Sequence, residues 1–463
     1  MNFSHGSPSL LAPFMEPKSL ALIGVSREVG EEAFNMLGHL LSYGYSGKIY
    51  PVNPNATEIL GLKAYPHVTE IPEEVALAVI STPRELVPQL IRECTSKGIH
   101  SIIVVGQGFA DANDERGKQL QREIVDLAQA GQTRIIGPNT FGTANAFANF
   151  STAFARLKME KVPIGVVCQS GVFFMGFSEL NLIGKGFDLG NACDVDSAEA
   201  LEYFANDSEV KVVALHLEGV SDGRRFLQAA SQTSRRKPLL VLKTGKSEPA
   251  AEAARSHTGA ITGQDQVWEA ALKQTGAIRV EDVEELLDLV RVFSVSPPPL
   301  PGKAGLITYT GGLGIASLDA LNRFSLEIAQ LSSVTKSRLA NLFPSWMSVT
   351  NPVDIWPPMM LSQPVLNPLR QALGTLLADP QINAVLFIGG ALFPKFTHDV
   401  CQLLLEMAEA QPDKPLVCCI YGPYAHEASA CLQSTGRIAV FPTPERAARA
   451  LARLVQYYRG SND

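Results

Sequence analysis

Ala304-Gly305-Leu306-Ile307-Thr308-Tyr309-Thr310-Gly311-Gly312-Leu313-Gly314 is a short apolar run that ends in a glycine-rich turn. A run of this length with glycines at its end predicts a buried strand feeding a helix. The same arrangement occurs twice upstream. Leu20 to Ile23 runs into Gly24-Val25-Ser26, and Ile164 to Val167 runs into Gln169-Ser170-Gly171. The spacing between occurrences is domain-sized, so one supersecondary unit recurs and no solenoid is implied. The expectation is an α/β chain of three Rossmann-like or flavodoxin-like domains in series.

Working outward, short β-branched runs alternate with longer amphipathic ones, the pattern of parallel sheets flanked by helices. The first set of strands continues through Lys48 to Val52, Leu77 to Ser81, Ser101 to Val105 and Arg134 to Ile136. Helices are predicted between them, over Glu85 to Lys97 and Asp114 to Ala130. The second set continues through Val210 to Leu215 and Leu239 to Leu242, and the third through Ala384 to Ile388, Leu416 to Ile420 and Ile438 to Val440. Ser294-Val295-Ser296-Pro297-Pro298-Pro299-Leu300-Pro301-Gly302 reads as a stiff spacer. The expected domains are residues 1–140, 141–296 and 303–463.

Of the 463 residues 46% are apolar and 18% charged, as in a globular chain with ample core. A formal net charge of −7 gives no electrostatic reason to bind nucleic acid or an anionic membrane. The seven cysteines include no CxxC pair, and several sit in apolar runs, so buried reduced thiols are expected. Met1 to Leu10 carries no basic segment followed by an apolar one, and Val162 to Phe177 is too short and too interrupted to cross a bilayer. A cytoplasmic, reducing location is the expectation. No His/Cys cluster has zinc spacing, so no metal site is expected on this chain.

Two stretches carry chemistry. Ser256-His257-Thr258-Gly259-Ala260-Ile261-Thr262-Gly263 places one imidazole in a hydroxyl- and glycine-rich loop after the strand Leu239 to Leu242. Neutral imidazole is a nucleophile near pH 7, and the surrounding hydroxyls and amides can hold an anion. In the first domain, the glycine turn after the first strand suits a phosphate-bearing ligand. A nicotinamide dinucleotide is disfavoured, because the second strand ends Tyr50-Pro51-Val52-Asn53-Pro54 with no carboxylate for a ribose. Coenzyme A is compatible. The later strand ends, Ser81-Thr82-Pro83, Gly106-Gln107-Gly108-Phe109 and Gly137-Pro138-Asn139, form a small-residue rim that a pantetheine arm could cross.

Together these residues resemble the α subunit of ADP-forming acyl-CoA synthetases, relatives of the succinyl-CoA synthetase α subunit. The matching pieces are Gly24-Val25-Ser26, Gly47-Lys48-Ile49-Tyr50-Pro51-Val52-Asn53-Pro54, Gly61-Leu62-Lys63-Ala64-Tyr65-Pro66, Gly137-Pro138-Asn139 and Gln169-Ser170-Gly171. Gly190-Asn191, Asp194-Val195-Asp196, Leu217-Glu218-Gly219, the His257 loop and Asn351-Pro352-Val353-Asp354 follow in order. The resemblance implies a Rossmann-like CoA-binding domain followed by two flavodoxin-like parallel-sheet domains. It makes His257 the phosphorylated residue and Glu218 its orienting partner, with Ser170, Gly171, Thr258 and Gly259 holding phosphate. It places coenzyme A against Gly24, Ser26, Arg27, Pro51, Asn53, Pro54, Ser81, Thr82, Pro83, Gly106, Gly108, Phe109 and Asn139.

The implied reaction interconverts acyl-CoA, ADP and phosphate with carboxylate, CoA and ATP through an acyl phosphate and a phosphohistidine. No ATP-grasp segment is evident, so the resemblance implies a separate ATP-grasp β subunit, in an α2β2 assembly, that carries the Mg-nucleotide. The rival expectation is a CoA-binding regulatory or scaffold protein without turnover. Ala33, Thr140, Cys168 and Gly106-Gln107-Gly108 depart from the family pattern and leave CoA affinity and acyl specificity open. His216, two residues before Glu218 on the same strand face, either assists the site or packs beneath it, and packing is the expectation.

Overall fold

The computed structural model describes residues 10–25, 35–112, 114–250, 264–300 and 302–460. The chain folds as two compact units, Met1–Leu286 and Leu287–Asp463.

Among the described residues the first unit contains two large sheets and a two-stranded hairpin. Its leading strands are β1 (Ser19–Ile23), β2 (Lys48–Val52), the hairpin pair β3 (Glu58–Ile59) and β4 (Leu62–Lys63), β5 (Leu77–Ile80), β6 (Ser101–Val104) and β7 (Arg134–Ile136). Five of them form a parallel sheet in the order β2-β1-β5-β6-β7, so β1 lies inside it and is buried along its whole length. Such a strand must be apolar on both faces, which is why Ser19-Leu20-Ala21-Leu22-Ile23 shows no alternation. The order reverses between β1 and β5, and an open sheet leaves a crevice at such a switch point.

The second sheet is built from β8 (Gly142–Asn145), β9 (Phe150–Ser151), β10 (Ile164–Cys168), β11 (Lys185–Asp188), β12 (Val212–Leu217), β13 (Leu239–Lys243) and β14 (Ile278–Val280). Its order is β14-β13-β12-β10-β11-β8-β9. The β10 to β14 core is parallel, and β8 and β9 add antiparallel strands on one edge. The two sheets are tied together at β7. Arg134 pairs with Asp194 at 3.0 Å and with Glu199 at 2.7 Å, while Asp194 also accepts the Ile135 amide at 2.7 Å. Buried Lys185 in β11 is neutralised by Asp207 at 2.7 Å and Glu209 at 2.6 Å.

The second unit carries one parallel sheet of β15 (Lys303–Thr308), β16 (Val353–Asp354), β17 (Ile382–Gly390), β18 (Leu416–Tyr421) and β19 (Ala439–Phe441), in the order β16-β15-β17-β18-β19. The Asn351 amide braces its first crossover, accepting from Leu306 N–H at 2.9 Å and donating to the Ala304 and Ala329 carbonyls. Fully buried Asp288 pairs with Arg446 at 2.6 Å and Arg449 at 3.2 Å.

All seven cysteines are free thiols. Among the described residues no helix is long and apolar enough to cross a membrane.

Candidate functional site

The crevice of the first sheet is shaped by close backbone approaches. Gly24 follows β1 with φ +82°, and a β-carbon there would fall 2.5 Å from the Ser81 carbonyl oxygen. No other residue type fits, because both the dihedral and the contact exclude a side chain. Ser81 N–H donates to Ile23 O, which holds the β5 exit against the β1 exit. Gly106, past β6, approaches the Thr82 carbonyl, and Asn139, past β7, donates its N–H to Gly106 O at 2.9 Å. Thr82 Oγ1 is buried there without a hydrogen-bond partner. Pro51 lies in β2 beside Leu22, and Asn53 reaches back from the β2 exit to donate to Val25 O. Thus Gly24, Pro51, Asn53, Pro54, Ser81, Thr82, Pro83, Gly106 and Asn139 gather on or just beyond the carboxyl ends of adjacent strands.

Two further residues assigned to the rim, Gly108 and Phe109, are held by Asp111. The carboxylate of Asp111 accepts the Gly108 amide at 2.8 Å and the Phe109 amide at 2.9 Å. The Phe109 ring is fully buried in the core of this sheet. An apolar ring of that size gains more from burial than a solvent-facing loop can offer, so it turns inward. Ser26 and Arg27 lie outside the described residues.

The second sheet builds a separate constellation at the ends of β10, β12 and β13. Gln169 leaves β10, and its Oε1 accepts the main-chain N–H of Glu218 at 2.7 Å and of Gly219 at 3.3 Å. Ser170 caps the helix Gly171–Glu179 in extended conformation, yet its side chain makes no capping hydrogen bond. That leaves a hydroxyl beside a helix N-terminus, where amide donors and the helix dipole favour an anion. Gly171 is required by its neighbour, since a β-carbon would lie 2.1 Å from the Phe141 ring. Phe141 in turn packs against Phe154 in a tilted ring pair, 4.2 Å between centroids, and donates its N–H to Asp188 at 2.7 Å.

Glu218 stands one residue beyond β12 and is 8% exposed. Lys243, the last residue of β13, donates from Nζ to the Glu218 carbonyl at 2.8 Å. His216 stacks on Phe173 at 3.9 Å and lies 3.1 Å from Thr244 Oγ1 through Nε2. Burial, and the nearby Lys243 charge, lower its pKa to about 4, so the ring is neutral at physiological pH. His216 therefore packs beneath the helix start. His257, Thr258 and Gly259 lie outside the described residues.

The departures at Thr140 and Cys168 are both directed inward. Thr140 donates to the Asp188 carbonyl and accepts the Gly142 amide at 2.7 Å. The Cys168 thiol contacts the Asp188 carboxylate, and burial raises its pKa well above the ordinary thiol value. Burial also lifts Asp188 to about 6, against hydrogen bonds from the Phe141 and Gly190 amides. Gln169 and Lys243 were not assigned any role by sequence. The signal available for Lys243 was a lysine closing an apolar parallel strand directly before Thr244-Gly245.

Residues 18–146 match the family described as a CoA binding domain, and residues 161–293 match the succinyl-CoA ligase like flavodoxin domain. The chain is 36% identical to acetate–CoA ligase (ADP-forming) I subunit alpha of Pyrococcus furiosus, over 96% of this chain and 97% of that protein. It is 36% identical to acetate–CoA ligase (ADP-forming) II of Archaeoglobus fulgidus over 83% of its own length, but spans only 58% of that protein. A solved structure from Ca. Korarchaeum cryptofilum, a dinucleotide forming acetyl-coenzyme A synthetase 1 in complex with phosphate and ADP, superposes with a TM-score of 0.88. It is 29% identical, with 98% of this chain and 97% of that one covered. The chain belongs to the family of ADP-forming acetate–CoA ligase α subunits.

Proposed function

We propose that this chain is the α subunit of an acid–thiol ligase that interconverts acyl-CoA, ADP and phosphate with a carboxylate, CoA and ATP. The observation that carries this reading is the placement of Glu218 and Ser170 at neighbouring strand exits, bridged by Gln169. A carboxylate and an anion-attracting helix start are then held in one frame, in a chain related to ADP-forming ligases.

The steps are those that the family resemblance implies. Coenzyme A lies along the first sheet's crevice, over Gly24, Ser81, Thr82, Gly106 and Asn139. A phosphate oxygen attacks the thioester carbonyl and the C–S bond breaks, giving acyl phosphate and the CoA thiol. Nε2 of His257 then attacks phosphorus, and the bond to the acyl oxygen breaks to release the carboxylate. Glu218 accepts the Nδ1 proton in a hydrogen bond, which fixes the tautomer and balances the positive charge formed on attack. Ser170 and Gly171, with Thr258 and Gly259, receive the phosphoryl oxygens, so that catalysis is mostly positioning and charge stabilisation. Phosphohistidine finally passes its phosphoryl group to the terminal oxygen of ADP. That nucleotide and its magnesium belong to an ATP-grasp β subunit in an α2β2 assembly. We also assign residues 1–140, 141–296 and 303–463 to three domains, and the protein to the cytoplasm.

Replacing His257 by Ala in the reconstituted complex tests the reading. Loss of acyl-CoA-dependent ATP formation is expected, with CoA binding retained. Turnover that survives the replacement contradicts it. Binding of CoA with no phosphorylation under any partner condition would instead identify a regulatory protein.

A further inference from the structure

Lys243 is 1% exposed, although an ammonium group is rarely left in a protein interior without a carboxylate partner. Among the described residues no carboxylate makes an ion pair with it. Its Nζ donates to the main-chain carbonyl of Glu218 at 2.8 Å and to the carbonyl of Thr244, and it faces the Trp268 ring, 5.4 Å from the centroid. Thr244 continues the cluster, donating its N–H to Leu217 O at 3.0 Å and touching His216 Nε2 through its hydroxyl.

The main chain at residue 218 is therefore held from both sides. Gln169 on the β10 exit binds its N–H, and Lys243 at the end of β13 binds its carbonyl. Neither contact uses the Glu218 carboxylate. A neutral donor such as an asparagine could hold a carbonyl equally well, without the desolvation cost of a charge. The charge itself calls for an explanation.

We propose that Lys243 is a positioning residue of the phosphoryl relay: it clamps the Glu218 turn through the carbonyl and sets a cation behind the Glu218 carboxylate. This role rests on the reading of His257 and Glu218 given above. With the cation in place, the Glu218 turn stays positioned while negative phosphoryl oxygens enter the site. Without it, one of the two main-chain holds on residue 218 is lost, and a misplacement of about 1 Å lowers such a rate by about 100-fold.

The charge has a definite pH range. Burial lowers Lys243 to about 8, with the Arg279 and Lys246 cations acting in the same direction and the Asp265 and Glu218 carboxylates opposing. His216 also faces this cluster and is neutral there. The ammonium is thus present below about pH 8 and lost above it.

The test is the rate at which His257 is labelled, followed from neutral to alkaline pH in the complex with its ATP-grasp partner. Lys243→Met and Lys243→Arg are compared with the wild type. We expect the wild-type rate to fall above about pH 8 and Lys243→Met to be slowed by about 100-fold at neutral pH. CoA affinity, which belongs to the first sheet, stays unchanged in both variants. Arginine remains charged throughout, so in Lys243→Arg the alkaline fall should disappear from this range. A folded Lys243→Met with nearly the wild-type rate overturns the proposal. So does an alkaline fall that persists unchanged in Lys243→Arg, which decides the matter even where the methionine variant fails to fold. A wild type that never acquires label on His257, while still binding CoA, overturns the relay itself and this role with it.

Discussion

Gln169 accepts the main-chain N–H of Glu218 at 2.7 Å, joining the exits of two adjacent parallel strands through one side-chain oxygen. The same oxygen also takes the Gly219 amide. Gln169→Ala would take this acceptor away from both amides in a buried setting. The expected loss is about 2 kcal/mol of stability, read by denaturant titration, together with slower labelling of His257. Gln169→Glu keeps the acceptor and should recover most of the stability, but it adds a like charge beside Glu218 and should not recover the rate. Equal stability of the alanine variant and the wild type would show that the bridge is dispensable.

Gly24 tests the first sheet. Its φ of +82° and the 2.5 Å approach of the Ser81 carbonyl leave no room for a methyl group. Gly24→Ala should therefore push the β1 and β5 exits apart, weakening CoA binding by about tenfold or more, with a stability loss of roughly 1–3 kcal/mol. Calorimetric titration with CoA measures the first effect. Unaltered affinity would remove this crevice from the CoA site.

Sequence carried the architecture well where burial and periodicity coincide. The runs at Leu20, Ile164 and Ala304 are strands because both faces are covered and nearly every residue in them is apolar. The misses have physical causes. Gly142-Thr143-Ala144-Asn145 is fully buried yet mostly small or polar, because Thr143 and Asn145 bond the backbone of the first helical turn, Ala12–Met15. β11 begins with Lys185 and ends with Asp188, and the lysine is tolerated inside only because Asp207 and Glu209 meet it. At the candidate site, Glu218 enters through the family resemblance, whereas Gln169 and Lys243 act on main-chain atoms. No residue pattern announces such contacts, since they depend on which strands become neighbours.

His216 offers a check on the buried cluster that is independent of turnover. Its folded pKa is about 4, while an unfolded histidine titrates near 6.5. Between those values the unfolded chain binds the extra proton, so stability falls as pH drops from about 6.5 to about 4. The histidine's share of that loss is on the order of 3 kcal/mol when complete. His216→Phe keeps a ring against Phe173 but removes the proton site. Relative to the wild type it should gain stability on moving from neutral pH to pH near 4.5, measured by denaturant titration. A difference between the two proteins that does not change with pH would contradict the buried neutral state.

The central claim is tested most directly by locating phosphate on the protein. The purified chain, with and without an ATP-grasp partner, is incubated with labelled phosphate and a series of acyl-CoAs, then mapped under non-acidic conditions that preserve phosphohistidine. The predicted result is acyl-CoA-dependent label on His257 that discharges into ATP when ADP is added with the partner, and that is absent from His257→Ala. A chain that binds CoA but stays unlabelled, beside a partner that phosphorylates an active relative, would contradict the phosphoryl relay.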